Sequence, residues 1–188
     1  MPSLVDLADA SIAAQSASSA LGRVIRLCNL DQETIRLVVG GEVSGDCAAW
    51  PGVGYSLVMA ARLEAAAIAE AAGPGALAEE AADAGEDALR AVWLTALHAD
   101  NTPDVRADYV EAFEALAADG KMAPARYFQI ADRHALRVSD GAHQLYGSAW
   151  RCEAGEARFS APIKDLDAAA RRRAELGAPT IDHVLSEA

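Results

Sequence analysis

The sequence predicts a mainly α protein, a helical bundle with one small antiparallel β-hairpin near residues 143–161. Three observations carry this. Alanine fills roughly a quarter of the 188 positions, and aromatic residues only 5%. Alanine is the best helix former, and its small side chain lets helices approach closely. Apolar residues recur at helical spacing in long runs, and Gly/Pro/Asn/Asp clusters punctuate those runs. A single stretch late in the chain instead has strand and turn character.

The elements follow in order. Residues 4–20 carry a weak amphipathic pattern, read as a loosely docked first helix. Residues 22–39 form a helix that buries Val24, Ile25, Leu27, Leu30, Ile35 and Val38 and stops at Gly40-Gly41. Residues 41–52 read as a loop anchored by Trp50-Pro51. A helix over 55–72 is closed by Gly73-Pro74-Gly75, and another covers 76–99. Asn101-Thr102-Pro103-Asp104 breaks that helix, and Pro103 suits the first turn of the next, over 103–118. A helix over 123–138 carries Asp132 and Arg133. Residues 143–149 and 156–161 read as strands around Glu153-Ala154-Gly155. Helices over 164–176 and 180–187 end the chain, Thr180 capping the last. With no internal repeat and no linker, the expectation is one domain over 1–188.

Composition excludes several functions. The net charge of −12 argues against nucleic acid and anionic membranes as partners, since both need clustered Lys and Arg. The one basic run, Arg171-Arg172-Arg173, reads as a solvated helix face. No stretch reaches the roughly 18 to 20 apolar residues that span a bilayer. Cys28, Cys47 and Cys152 form no CxxC pair, and the N-terminus lacks a signal-peptide pattern, so a reducing cytoplasm is expected. Gly52-Val53-Gly54 lacks the Lys-Ser/Thr and the preceding strand of a phosphate loop. No cofactor motif is present.

The candidate site is a set of polar residues on apolar helical faces. Asp31, Gln32 and Arg36 lie on the second helix, Gln32 and Arg36 sharing a face. His98 and Asp100 close the long helix after Trp93-Leu94. Asp132 and Arg133 interrupt an alanine-rich helix, and Gln144 and Tyr146 open the hairpin. Buried charges need partners, because an unpaired one costs several kcal/mol. In a functional reading, His98 is the acid/base, with Asp100 or Asp132 orienting it or acting as a second acid or base. Arg36 or Arg133 holds a carboxylate or phosphate, and Asp31, Gln32, Gln144 and Tyr146 bind the ligand. In a structural reading, Asp132–Arg36 or Asp31–Arg133 fasten helices together, and His98 is a C-cap. A metal site does not follow, since residues two apart on a helix diverge, which rules out His98-x-Asp100 and Asp132-x-His134 as chelating pairs. A buried apolar cysteine, not a nucleophile, is the default for Cys28 and Cys47.

The ordered motifs Asp31-Gln32…Arg36, Trp50-Pro51…Gly54, Trp93-Leu94…His98-Ala99-Asp100, Asp132-Arg133 and Gln144-Leu145-Tyr146-Gly147 resemble a bacterial family known only as a domain of unknown function. The similarity covers about residues 27 to 186. The resemblance implies a shared fold and a shared polar cluster, but no reaction. The chain departs from the pattern at Leu97, where relatives often carry Gln, and at Ser148-Ala149, where they carry Thr-Gln. Many relatives are exported, and this chain shows no export signal.

The leading expectation is a cytoplasmic enzyme acting on a small polar or anionic metabolite by acid/base chemistry, a hydrolysis or a rearrangement, in a pocket of helix ends and hairpin. The alternative is a non-catalytic binding, regulatory or immunity-type protein whose polar cluster is structural. Oligomeric state is left open, a homodimer included.

Overall fold

The computed structural model describes residues 19–39, 50–100, 102–153 and 156–181. Among them are seven helices and one two-stranded antiparallel sheet, the mainly α architecture the sequence predicts. The helix expected over 4–20 and the one over 180–187 fall almost wholly outside the described residues. The helices are α1 (Ala20–Val39), α2 (Trp50–Ala72), α3 (Pro74–Ala84), α4 (Glu86–Leu97), α5 (Pro103–Ala118), α6 (Pro124–Val138) and α7 (Leu166–Glu175). The strands are β1 (Trp150–Glu153) and β2 (Glu156–Phe159). The chain forms two compact units, Met1–Asn101 and Thr102–Ala188.

In the first unit α1 packs against α2 and α4, and α3 packs against α4. On α1 the buried positions Val24, Leu27, Cys28, Asp31 and Thr34 recur at helical spacing and form one stripe. On α2 the facing stripe is small: Val58, Ala61, Ala65 and Ala69. Small residues there let the two helix axes approach closely.

Two element boundaries differ from expectation. The helix after the 41–52 segment starts earlier, at Trp50, with Pro51 in its first turn, where a missing N–H costs nothing. The segment 76–99 is not one helix but two, α3 and α4, divided at Gly85. Gly85 has φ 109° and ψ 179°, a conformation that only glycine adopts freely, so the helical ladder breaks there.

The second unit is built on the hairpin of α5 and α6, with the β1–β2 hairpin and α7. The aromatic side chains Tyr109, Phe113, Tyr127 and Phe128 are buried in it. The strand register pairs Trp150 with Phe159 and Glu153 with Glu156. The expected strand over 143–149 is not a strand. Only Gln144 forms a bridge, to Ile163, and the sheet begins at Trp150. The reason is chemical: the backbone N–H groups of 145, 146 and 148 are taken by a side chain, Asp132, and cannot enter a ladder.

Candidate functional site

The predicted polar residues fall into two sets. Asp31, Gln32, Arg36, His98 and Asp100 belong to the first unit. Asp132, Arg133, Gln144 and Tyr146 belong to the second.

In the first unit, Asp31 lies on the apolar stripe of α1 and is 3% exposed. Its Oδ1 accepts from Arg62 Nε at 2.8 Å and its Oδ2 from Gln32 Nε2 at 2.9 Å. His98, at the C-cap of α4, turns Nδ1 toward Oδ2 at 3.4 Å. Burial pushes the Asp31 carboxyl up, but the bonds from His98, Arg62 and Gln32 outweigh it and hold the group below the usual aspartate range. The carboxylate facing His98 is Asp31, and the arginine on Asp31 is Arg62. Arg62 is the residue that sequence reasoning missed. Its signal was available: it interrupts the Ala61/Ala65/Ala69 stripe, as Asp31 interrupts its own.

Around this triad Leu27, Cys28, Ala61, Leu94 and Thr95 close a cleft of about 10 Å³, room for one water molecule. Cys28 and Leu94 are also part of the wall of a larger groove of about 530 Å³ along α1 and α4. That groove is lined further by Gln32, Glu33, Arg36, Asp87 and Arg90. Gln32 and Arg36 thus share a surface, as their spacing predicts, and Arg36 is held by Glu33 at 2.8 Å. Burial and the neighbouring Asp31 charge push the Cys28 thiol up to about 11, so it is a poor nucleophile. The amide of Asp100 donates to the His98 carbonyl at 2.8 Å.

In the second unit, Asp132 is completely buried in α6. Its Oδ1 accepts from the amides of Leu145 (2.6 Å) and Tyr146 (2.7 Å). Its Oδ2 accepts from the amide (2.6 Å) and hydroxyl (2.7 Å) of Ser148. Four donors on one carboxylate compensate its desolvation, with no cation in direct contact among the described residues. Arg133, next in sequence, is exposed. Gln144, also fully buried, donates to the carbonyls of Ala149 (3.1 Å) and Ala161 (2.7 Å) and accepts from the Ala149 amide (2.9 Å). Its polar atoms are engaged with backbone.

Tyr146 has its amide on Asp132 and its carbonyl on Arg173 Nη1 at 3.0 Å. Its ring lies 5.5 Å from that of Tyr127 and 5.0 Å from that of Phe128, and its hydroxyl is 2.9 Å from the Tyr127 hydroxyl. Arg173 also donates to the Pro179 carbonyl at 2.7 Å and stacks over Phe128 at 5.0 Å. The basic run is therefore not a uniformly solvated face, since Arg173 is only 5% exposed. Its planar fork finds two carbonyls and an aromatic face, which an ammonium could not match. The signal for it was Ala169, buried one turn earlier on the same side of α7.

Fold and clusters together define an α-helical protein of two compact units, each closed around its own buried aspartate. No protein-family model matches the chain, nor does any curated protein or solved structure. Among the described residues no group of three or more His, Cys, Asp or Glu side chains could hold a metal ion, and no helix is long and apolar enough to cross a membrane.

Proposed function

We propose that the first unit carries an acid/base site for a small polar or anionic metabolite, centred on His98, which runs a hydrolysis or a proton-transfer rearrangement. The observation that carries this reading is the His98–Asp31 couple, 3.4 Å apart, in a small cleft whose Cys28 and Leu94 also line a groove large enough for a small molecule. Nδ1 faces the carboxylate, which leaves Nε2 to take or give a proton. Asp31 orients the ring, and Arg62 fixes Asp31. Gln32, Arg36 and Arg90 on the groove wall supply donors for an anionic group. Asp132 and Gln144 have no part in the chemistry, because backbone groups take up their polar atoms. A reducing cytoplasm suits the free thiol of Cys28.

Following the His98 ring by NMR during titration with small carboxylates, phosphates and their esters tests the proposal. One compound class should shift the His98 resonances and be turned over, and His98→Gln and Asp31→Asn should abolish turnover. Turnover that survives His98→Gln refutes it.

The alternative, a non-catalytic interaction protein, has its own observation. The Asp31 carboxylate is fully engaged, and the space beside it admits only about one water. On that reading His98→Gln alters stability alone, and no ligand perturbs the ring.

A further inference from the structure

We infer that Gln32 is a positioning residue for the His98–Asp31 couple: from the wall of the groove it competes with His98 for Oδ2 of Asp31, and so sets how closely the couple pairs. This rests on the acid/base reading of His98 and deepens it, because it says how the groove reaches the couple.

Asp31 belongs to the buried stripe of α1. Gln32 follows it directly, about 100° further round the helix, so its Cβ leaves that stripe. It is half-buried and lines the groove with Glu33, Arg36 and Arg90. Its side chain is long enough to reach back, and Nε2 donates to Asp31 Oδ2 at 2.9 Å. An amide oxygen in that place would oppose the carboxylate, so the nitrogen is the atom presented.

The same oxygen faces His98 Nδ1 at 3.4 Å, while Arg62 takes Oδ1. Two donors thus meet on one oxygen. Gln32 holds it at an ordinary hydrogen-bond length, and His98 stands outside the roughly 2.7 to 3.2 Å of such a bond. Of the three side chains on Asp31, Arg62 and His98 line the small cleft, and Gln32 lines the groove. Gln32 is therefore the donor on Asp31 that a groove ligand meets first.

A ligand that offers Gln32 an acceptor oxygen draws Nε2 off Oδ2. That oxygen is then left to His98, and the loose contact closes to a hydrogen bond. Catalytic hydrogen bonds that are long without ligand and tighten around it follow this pattern.

The test uses the full chain labelled in its histidine nitrogens. It needs no ligand, because removing the amide does what such a ligand does. Gln32→Met keeps the length of the side chain and removes the donor. At about pH 9, where an ordinary imidazole is neutral, the ring nitrogen shifts in NMR give the ratio of the Nδ1–H to the Nε2–H form. With Oδ2 left to His98, that ratio should rise about threefold in Gln32→Met, the worth of a modest hydrogen bond. Gln32→Ala should do the same, and it decides alone should Gln32→Met misfold. A purely structural role for Gln32 moves the urea midpoint and not this ratio. A ratio unchanged or lowered in the Gln32 variants overturns the inference. Asp31→Asn separates the two readings: if it lowers the ratio all the same, the His98–Asp31 couple stands without Gln32, and if it does not, the couple falls too.

Discussion

Ser148 gives both its amide and its hydroxyl to one oxygen of Asp132, at 2.6 and 2.7 Å, while the other oxygen takes the amides of Leu145 and Tyr146. A helix side chain thus does for this loop what a neighbouring strand does in a sheet. Asp132→Asn replaces one acceptor oxygen with a donor that confronts buried donors. It should cost about 3 kcal/mol, the range for stranding buried polar groups. Urea unfolding gives the loss, and hydrogen exchange should show the amides of 145, 146 and 148 exposed first. Unchanged exchange at those amides would contradict the clamp.

Asp31 sets the acid limit of the first unit. Its folded-state carboxyl titrates below the ordinary value of about 3.9, so its contribution is fully present above that pH and fades as pH falls through the lower, folded value. Thermal melts between pH 5 and pH 2 should show this loss, and Asp31→Asn should flatten the slope. At pH 7, Asp31→Ala leaves Arg62 without its partner on a largely buried face and should cost about 3 kcal/mol.

Gly147 sits at φ 73°, and a Cβ there would stand 2.9 Å from Ile163 Cδ1 and 3.2 Å from Phe159 Cε1. Gly147→Ala combines left-handed strain with displacement of two side chains and should cost about 2 kcal/mol. A urea midpoint equal to the parent's would show that the loop relaxes freely.

Tyr109 is wholly buried, stacked on Phe113 at 5.4 Å, and its hydroxyl has no hydrogen-bond partner among the described residues. Tyr109→Phe keeps the stack and removes an unsatisfied donor. It should raise stability by about 1 kcal/mol. A loss of stability instead would mean that a bound water or ligand satisfies the hydroxyl.

Cys28 should react slowly. With its thiol raised to about 11, alkylation at pH 8 should run about 100-fold slower than for a free cysteine, even before its burial is counted. Peptide mass mapping after timed iodoacetamide treatment distinguishes it from Cys47 and Cys152.

Most of the helices were legible because their evidence is local. Periodicity marks α1, periodicity and alanine content mark α5, and Pro103 and Asp119-Gly120 fix the ends of α5 almost to the residue. Gly85 was read through because a lone glycine inside a helical pattern is usually tolerated, and only the chain's path shows that this one takes φ 109°. The strand over 143–149 failed for a different reason. Strand pairing is a long-range competition, and the Asp132 carboxylate won the amides.

What the sequence by itself determined is which residues would be trouble: Asp31 on an apolar stripe, Asp132 in an alanine-rich helix, Gln144 and Tyr146 at the start of the hairpin region. Helical spacing fixes the face a side chain occupies, and a charge on a buried face must find a partner. The tertiary structure alone decided the partners. Asp31 met Arg62 and His98, from helices far along the chain, while Asp132 met the backbone of a loop and Arg173 met the Tyr146 carbonyl. Those choices depend on how distant segments pack, since a hydrogen bond requires atoms within about 3 Å and in line. No spacing within one helix encodes that.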